Sequence, residues 1–84
     1  MEFMISIQFR PQDGAEIMGL IPQEQAHVKA LREQGIVDAL YISADSSHVW
    51  IIMRSTSRDQ LQKDLETFPL YPYMQLEVTP LTKM

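Results

Sequence analysis

The run Phe68-Pro69-Leu70-Tyr71-Pro72-Tyr73-Met74-Gln75-Leu76-Glu77-Val78-Thr79-Pro80-Leu81 decides how this chain folds. Pro69 has no backbone N–H to give a helix, so any helix leading into the run ends there. Pro72 then fixes an aromatic-rich bend. From residue 73 the pattern alternates, with Met74, Leu76 and Val78 set against Tyr73, Gln75, Glu77 and Thr79. That two-residue period predicts a half-buried strand over 73–79.

Upstream of this run, Ser57 is a good helix N-cap and Gln60 stands at the capping-box position. Leu61, Leu65 and Phe68 form the apolar stripe of the predicted helix. Asp59 and Lys63 make an i,i+4 pair on its wet side, worth about 0.2–0.5 kcal/mol. Residues 36–44 and 48–55 read as two strands joined by the turn chemistry of Asp45-Ser46-Ser47, hence a hairpin. Residues 2–10 read as a first strand, with Phe3, Ile5, Ile7 and Phe9 on one face. Pro11 stops it. Asp13 is a candidate N-cap with Glu16 as its capping-box partner. The helix that follows runs to about Gln34, and Gly35 suits the left-handed residue beyond its end. Pro22 falls inside this span and either kinks the helix or opens its second half.

The element order is therefore βαββαβ within a single domain, residues 1–84. Right-handed crossovers turn this order into a four-stranded antiparallel sheet with both helices on one face, the ferredoxin-like α+β arrangement. The other sheet face has no cover within the chain. It is expected to carry Ser6, Gln8 and Arg10, then Tyr41, Trp50 and Ile52, and finally Tyr73, Gln75 and Glu77. Trp50, Ile52, Tyr41 and Tyr73 are costly to leave as one wet patch, so a second sheet should pack there, most simply from another copy of the chain.

Composition points the same way. Eighty-four residues bury a limited core and usually need a disulfide, a metal or a partner. The chain has no cysteine and two histidines, so a partner is the expected helper and a metal cage is not. Hydrophobic residues make up 45% and charged residues 21%, as in folded globular chains. A net charge of −4 with scattered cations gives no nucleic-acid footprint and no polybasic membrane patch. The first residues lack the charged and apolar regions of a signal peptide, and no apolar run is long enough to span a bilayer. The expectation is a soluble cytoplasmic protein. The three glycines form no phosphate loop, and the six dispersed methionines read as core filler.

Glu24 is the first candidate for chemistry. Leu20, Glu24, Val28 and Leu31 lie near one helical stripe, so a carboxylate interrupts an apolar face. Burial raises a carboxyl pKa and makes it a better proton shuttle near neutrality. The plainer reading is a Glu at the stripe's edge, or one paired with His27 a turn away. His27 forms an E-x-x-H pair with Glu24, but the di-metal bundles that use this pair need it twice. A hydrogen-bonded helix histidine is the simpler account. His48 flanks the hairpin turn and would normally be solvated. Tyr41, Trp50, Tyr71 and Tyr73 can line a cavity for a flat unsaturated ring, with tyrosine hydroxyls on a developing enolate oxygen, or can serve as interface packing. Arg10 can hold a substrate carboxylate bidentately or pair with a carboxylate of the protein, and Arg54 is a weaker candidate of the same kind.

The quoted run of residues 68–81 closely resembles the C-terminal segment of muconolactone delta-isomerases, small cofactor-free enzymes that move a proton and a ring double bond on an unsaturated lactone. Residues 24–35 resemble the family too, with a glutamate at the Glu24 position spaced similarly from the helix-ending glycine. The resemblance implies a dimeric α+β barrel, a homodimer or larger homo-oligomer, no cofactor, and a small-molecule ligand. It also implies a proton shuttle at Glu24 and a pocket shaped in part by Tyr71 and Tyr73. The central hairpin departs from the family. Tyr41 keeps an aromatic residue, but Ile42 stands where the family has arginine, and Ser46-Ser47-His48-Val49 replaces an aromatic- and amide-rich stretch. The family's basic tail has no counterpart after the last strand.

The expected function is thus an isomerase-like proton transfer on an unsaturated lactone or related ring. Its site is expected between the open sheet face and the first helix, completed by a neighbouring subunit. The alternative is a non-catalytic member that binds a small molecule or assembles. A cofactor-free monooxygenase or a dehydratase-like enzyme on a similar barrel is a third possibility.

Overall fold

The structure, a computed structural model, describes residues 1–84. Its elements are β1 (Glu2–Phe9), a 3-10 turn (Pro11–Asp13), α1 (Gly14–Glu33), β2 (Val37–Ile42), β3 (His48–Arg54), α2 (Arg58–Glu66), a second 3-10 turn (Tyr71–Tyr73) and β4 (Met74–Leu81). The strands pair antiparallel in the order β2-β3-β1-β4, the ferredoxin-like sheet expected from βαββαβ.

One face of the sheet meets both helices. Phe3, Ile5 and Ile7 of β1 and Ile51 and Met53 of β3 are buried at alternate positions, in one cluster with Leu31 of α1, Leu61 and Leu65 of α2, and Phe68. The helices differ in how they meet this layer. The nine residues of α2 sink two leucines completely, whereas the twenty of α1 bury only Leu31, close to its C-terminal end. Most of α1 therefore stands off the sheet.

Local chemistry explains the boundaries. Ser57 is extended (φ −157°, ψ 165°) and its hydroxyl accepts from the N–H of Gln60 at 3.0 Å, the predicted cap. The reciprocal arm of the capping box does not form, because the Gln60 amide donates to Asp64 instead (3.2 Å). Asp59 and Lys63 make no ion pair. The i,i+4 contacts of α2 are instead Gln60–Asp64, the donation from Gln62 to Glu66 (3.0 Å) and the donation from Arg58 to Gln62 (3.5 Å). The cap expected at Asp13 is also absent. Asp13 has already turned (φ −92°, ψ 6°), which takes its side chain away from the helix N–H groups, and its carboxylate accepts from Arg10 at 3.1 Å. Pro22 lies inside one unbroken α1, and Gly35, just beyond its C-cap Gln34, takes φ 78°, a conformation that suits glycine. The closing strand starts one residue later than predicted and runs two residues further. It tolerates Pro80 because β4 is an edge strand, where a missing N–H costs no ladder bond on the open side.

The register places Tyr41, Trp50, Ser6 and Glu77 in one row across the open face, beside a second row of Ala39, Ile52, Met4 and Thr79. Tyr41 is 64% exposed. The ring of His48 stacks on Trp50 (centroids 5.5 Å apart, planes 11° from parallel), and its Nε2 contacts the Gln8 amide. Two residues expected on this face are elsewhere: Arg10 lies beyond the end of β1, and Tyr73 belongs to the 3-10 turn before β4.

Candidate active site

Because α1 stands off the sheet, a cavity of about 790 Å³ opens between them. Its helical wall is the stripe Ile17, Ile21, Glu24 and Val28, spaced so that each falls on the inward face. Its floor comes from the helix-facing residues of the sheet: Ile7 and Phe9, Val49 and Ile51, and Leu40 of β2. Leu70 and Met74 close one end, and Ser46 and Ser47 of the hairpin turn stand at another edge. The neighbouring helix flank, Met18, Gln25, Lys29 and Arg32, borders the opening.

Glu24 is the acidic group of this cavity. Its Oε1 accepts from the backbone N–H of Leu70 at 3.2 Å, which ties the carboxylate to the chain just after Pro69. No basic side chain pairs with it. Burial raises the Glu24 pKa above the ordinary carboxylate value of 4.5, and the Leu70 N–H only partly opposes this. The result is a fixed carboxyl facing apolar space, with one oxygen anchored and the other available. That arrangement can take a proton from carbon and give it back.

The structure brings Glu24 and Arg10 to the same cavity, and sets Tyr41, Trp50, Tyr71 and Tyr73 outside its lining. The expectation that the site lies between the open sheet face and α1 is corrected for a simple reason: α1 packs on the opposite face, so no cavity joins Glu24 to Trp50 without crossing the sheet. Tyr71 packs against the core, and its hydroxyl accepts from the Gln62 amide (2.9 Å). Arg10 reaches the rim already engaged by Asp13. Arg54 pairs with Asp38 (3.3 Å) and Glu2 (3.9 Å), away from the cavity.

His27 does not pair with Glu24. Its Nε2 lies 2.8 Å from the Thr67 hydroxyl, and its ring meets Phe68 edge-on at 5.1 Å, a contact that joins α1 to the end of α2. The cavity also gathers Lys29, Arg32, Met18 and the Leu70 amide, which sequence reasoning did not mark. The flank 18-25-29-32 repeats at helical spacing next to the Glu24 stripe and was legible as such. The Leu70 amide carries no side-chain signal at all.

The sequence profile described as muconolactone delta-isomerase matches residues 1–84. The chain is 34% identical over 61 residues to a muconolactone delta-isomerase of Cupriavidus pinatubonensis (strain JMP 134 / LMG 1197). That match covers 73% of this chain and 66% of the relative, just under two thirds of its length. Among solved structures, a muconolactone isomerase crystal structure superposes with a TM-score of 0.83 at 24% identity, covering 100% of this chain and 91% of the other. The 5-chloro-2-hydroxyhydroquinone dehydrochlorinase of Burkholderia phenoliruptrix AC1100, in complex with 2,5-dihydroxybenzoquinone, gives the same TM-score at 16% identity and covers 98% and 94%. At these identities the structural likeness carries the fold, and the profile match along the full sequence carries the family. The chain belongs to the muconolactone delta-isomerase family.

Proposed function

We propose that this protein is a cofactor-independent isomerase that moves a proton, and with it a double bond, on a small unsaturated lactone or related ring compound. The observation that supports this most is a lone carboxyl, Glu24, held by the Leu70 N–H in an otherwise apolar cavity, with burial raising its pKa. In the step proposed, Glu24 takes a proton from the carbon next to the ring carbonyl. The C–H electron pair passes into a dienolate, and the same carboxyl returns the proton to the far end of that system, so the double bond shifts with no net change in composition. Proton transfer by a positioned group supplies roughly 10²–10⁴-fold in rate. Simple binding or assembly would leave the desolvation of a lone carboxylate without a return.

The protein acts as a homo-oligomer clasped through the open sheet face. The row of Tyr41 and Trp50, with Ile52 beside it, supports this, because no helix packs on that face: Tyr41 is exposed and Trp50 and Ile52 are only half-buried, Trp50 under the His48 ring. The catalytic reading is tested by incubating the protein with a panel of unsaturated lactones in D₂O and following ring protons by NMR. Isomerisation or solvent exchange that falls at least 10²-fold in Glu24→Gln is expected. Equal rates in the variant would remove Glu24 from the mechanism.

A further inference from the structure

The cavity holds more than a bare lactone ring. Its 790 Å³ is the volume of roughly 25 water molecules and lies in the upper part of the range of about 300–1,000 Å³ that encloses drug-sized ligands. Its interior presents side chains of Ile, Val, Leu and Phe, with Glu24 as the polar exception. The lips are apolar as well: Met18 on the helix is 74% exposed and Ile42 on β2 is 59% exposed, both bordering the opening.

Two cations on this rim stand without an acidic partner. Lys29 and Arg32 stand one turn apart on α1, and neither pairs with a carboxylate, whereas Arg10 is held by Asp13. They lie five and eight residues beyond Glu24, about 7.5 and 12 Å along the helix axis.

From these features we propose that the ligand is an amphipathic acid, an unsaturated ring carrying an apolar substituent, with its body in the cavity and its carboxylate on Lys29 and Arg32. The inference rests on the cavity being the substrate site, as in the function proposed above, but not on proton transfer by Glu24. It replaces Arg10 with the Lys29–Arg32 pair as the anion anchor. It also assigns selectivity to cavity length, with Ile42 and Met18 favouring substrates that extend past the lips.

Isothermal titration with straight-chain alkanoates from butanoate to decanoate, and with the matching alcohols, tests this on the intact chain without any turnover. Affinity should rise about threefold to fourfold per methylene until the cavity is full. Each acid should bind roughly threefold to tenfold tighter than its alcohol at low salt. The double variant Lys29→Gln, Arg32→Gln should lose that acid preference and keep the alcohol affinities, and Arg10→Gln should keep both. A flat dependence on chain length overturns the apolar-body assignment. Equal binding of acid and alcohol, or loss of the preference in Arg10→Gln instead, overturns the anchor. Either result leaves the Glu24 exchange experiment standing, and failure of that experiment leaves these titrations standing.

Discussion

Replacing Glu24 should make the protein more stable while making it inactive. In the folded chain the Glu24 carboxyl holds its proton more tightly than the ordinary value of 4.5, because burial disfavours the charge more than the Leu70 N–H favours it. Folding therefore takes up protons between pH 4.5 and the raised folded value. Through that window stability falls as pH rises, and it stays lowered at higher pH. Gln removes the titrating group and keeps a carbonyl oxygen for the Leu70 N–H. Thermal melts of Glu24→Gln and the parent chain should nearly coincide below pH 4.5, diverge above it, and reach a plateau with the variant more stable. Glu24→Ala behaves differently. This change removes the acceptor of the Leu70 N–H, a residue only 3% exposed beside the cavity, at a cost of about 1–3 kcal/mol where that N–H is left unpaired. Activity should drop by 10²–10⁴ in both variants, about 2.7–5.5 kcal/mol of barrier. Melts of Glu24→Gln that track the parent at every pH, or Glu24→Ala as stable as Glu24→Gln, would refute the account of a buried, anchored carboxyl.

Further expectations follow from the packing and the turn. Phe68 is 2% exposed at the junction of both helices and the sheet, so Phe68→Ala should cost about 3–5 kcal/mol in urea unfolding and bring a chain of this size near collapse. Ser57→Ala should cost about 1 kcal/mol by removing the α2 cap, with no change in ligand binding. Asp45 accepts from the Ser43 hydroxyl and from the Ser47 N–H and hydroxyl, which hold its pKa at about 2. An NMR titration should find that midpoint, and stability lent by these bonds should be present above pH 3.8 and fade as pH falls through 2. Trp50→Glu, tested by light scattering, should shift the mass from an oligomer to a single chain, because it sets a charge in the centre of the open sheet face.

The fold was legible because its signals are local and repeat. The alternation in β1 and β4, the Asp45-Ser46-Ser47 turn and the Ser57 cap each require one conformation, and together they admit one topology. The site was legible only in part. Glu24 stood out as a carboxylate in an apolar stripe, and Arg10 was close enough to the chain reversal to reach the same cavity. Alternation placed Tyr41 and Trp50 on the sheet face away from the helices, whereas the cavity that holds Glu24 opens on the helix side, so the sheet separates these aromatic residues from it. Tyr73 was displaced by Pro72, which turns the chain before β4 begins. The Asp13 cap failed because Arg10, three residues back, competes for the same carboxylate. None of these outcomes is set by residue type alone.

The two faces of the sheet explain why so short a chain can carry a cavity at all. A helix that buries one leucine out of twenty residues forfeits dispersion contacts along most of its length, and empty apolar volume in a core is destabilising. With eleven buried residues holding the domain together, that loss has to be offset elsewhere. The open face is where it can be. A second sheet packed over Trp50, Ile52 and Tyr41, as proposed above, would stabilise the layer from the side that has no helices and leave α1 free to remain lifted. A ligand filling the cavity adds to the same account, since anything that binds only the folded chain raises its stability. In the function proposed above, assembly on one side and chemistry on the other would be linked through the four strands between them. Loss of the oligomer should therefore loosen α1 before it touches Glu24 directly, so Trp50→Glu should weaken ligand affinity even though its side chain never reaches the cavity.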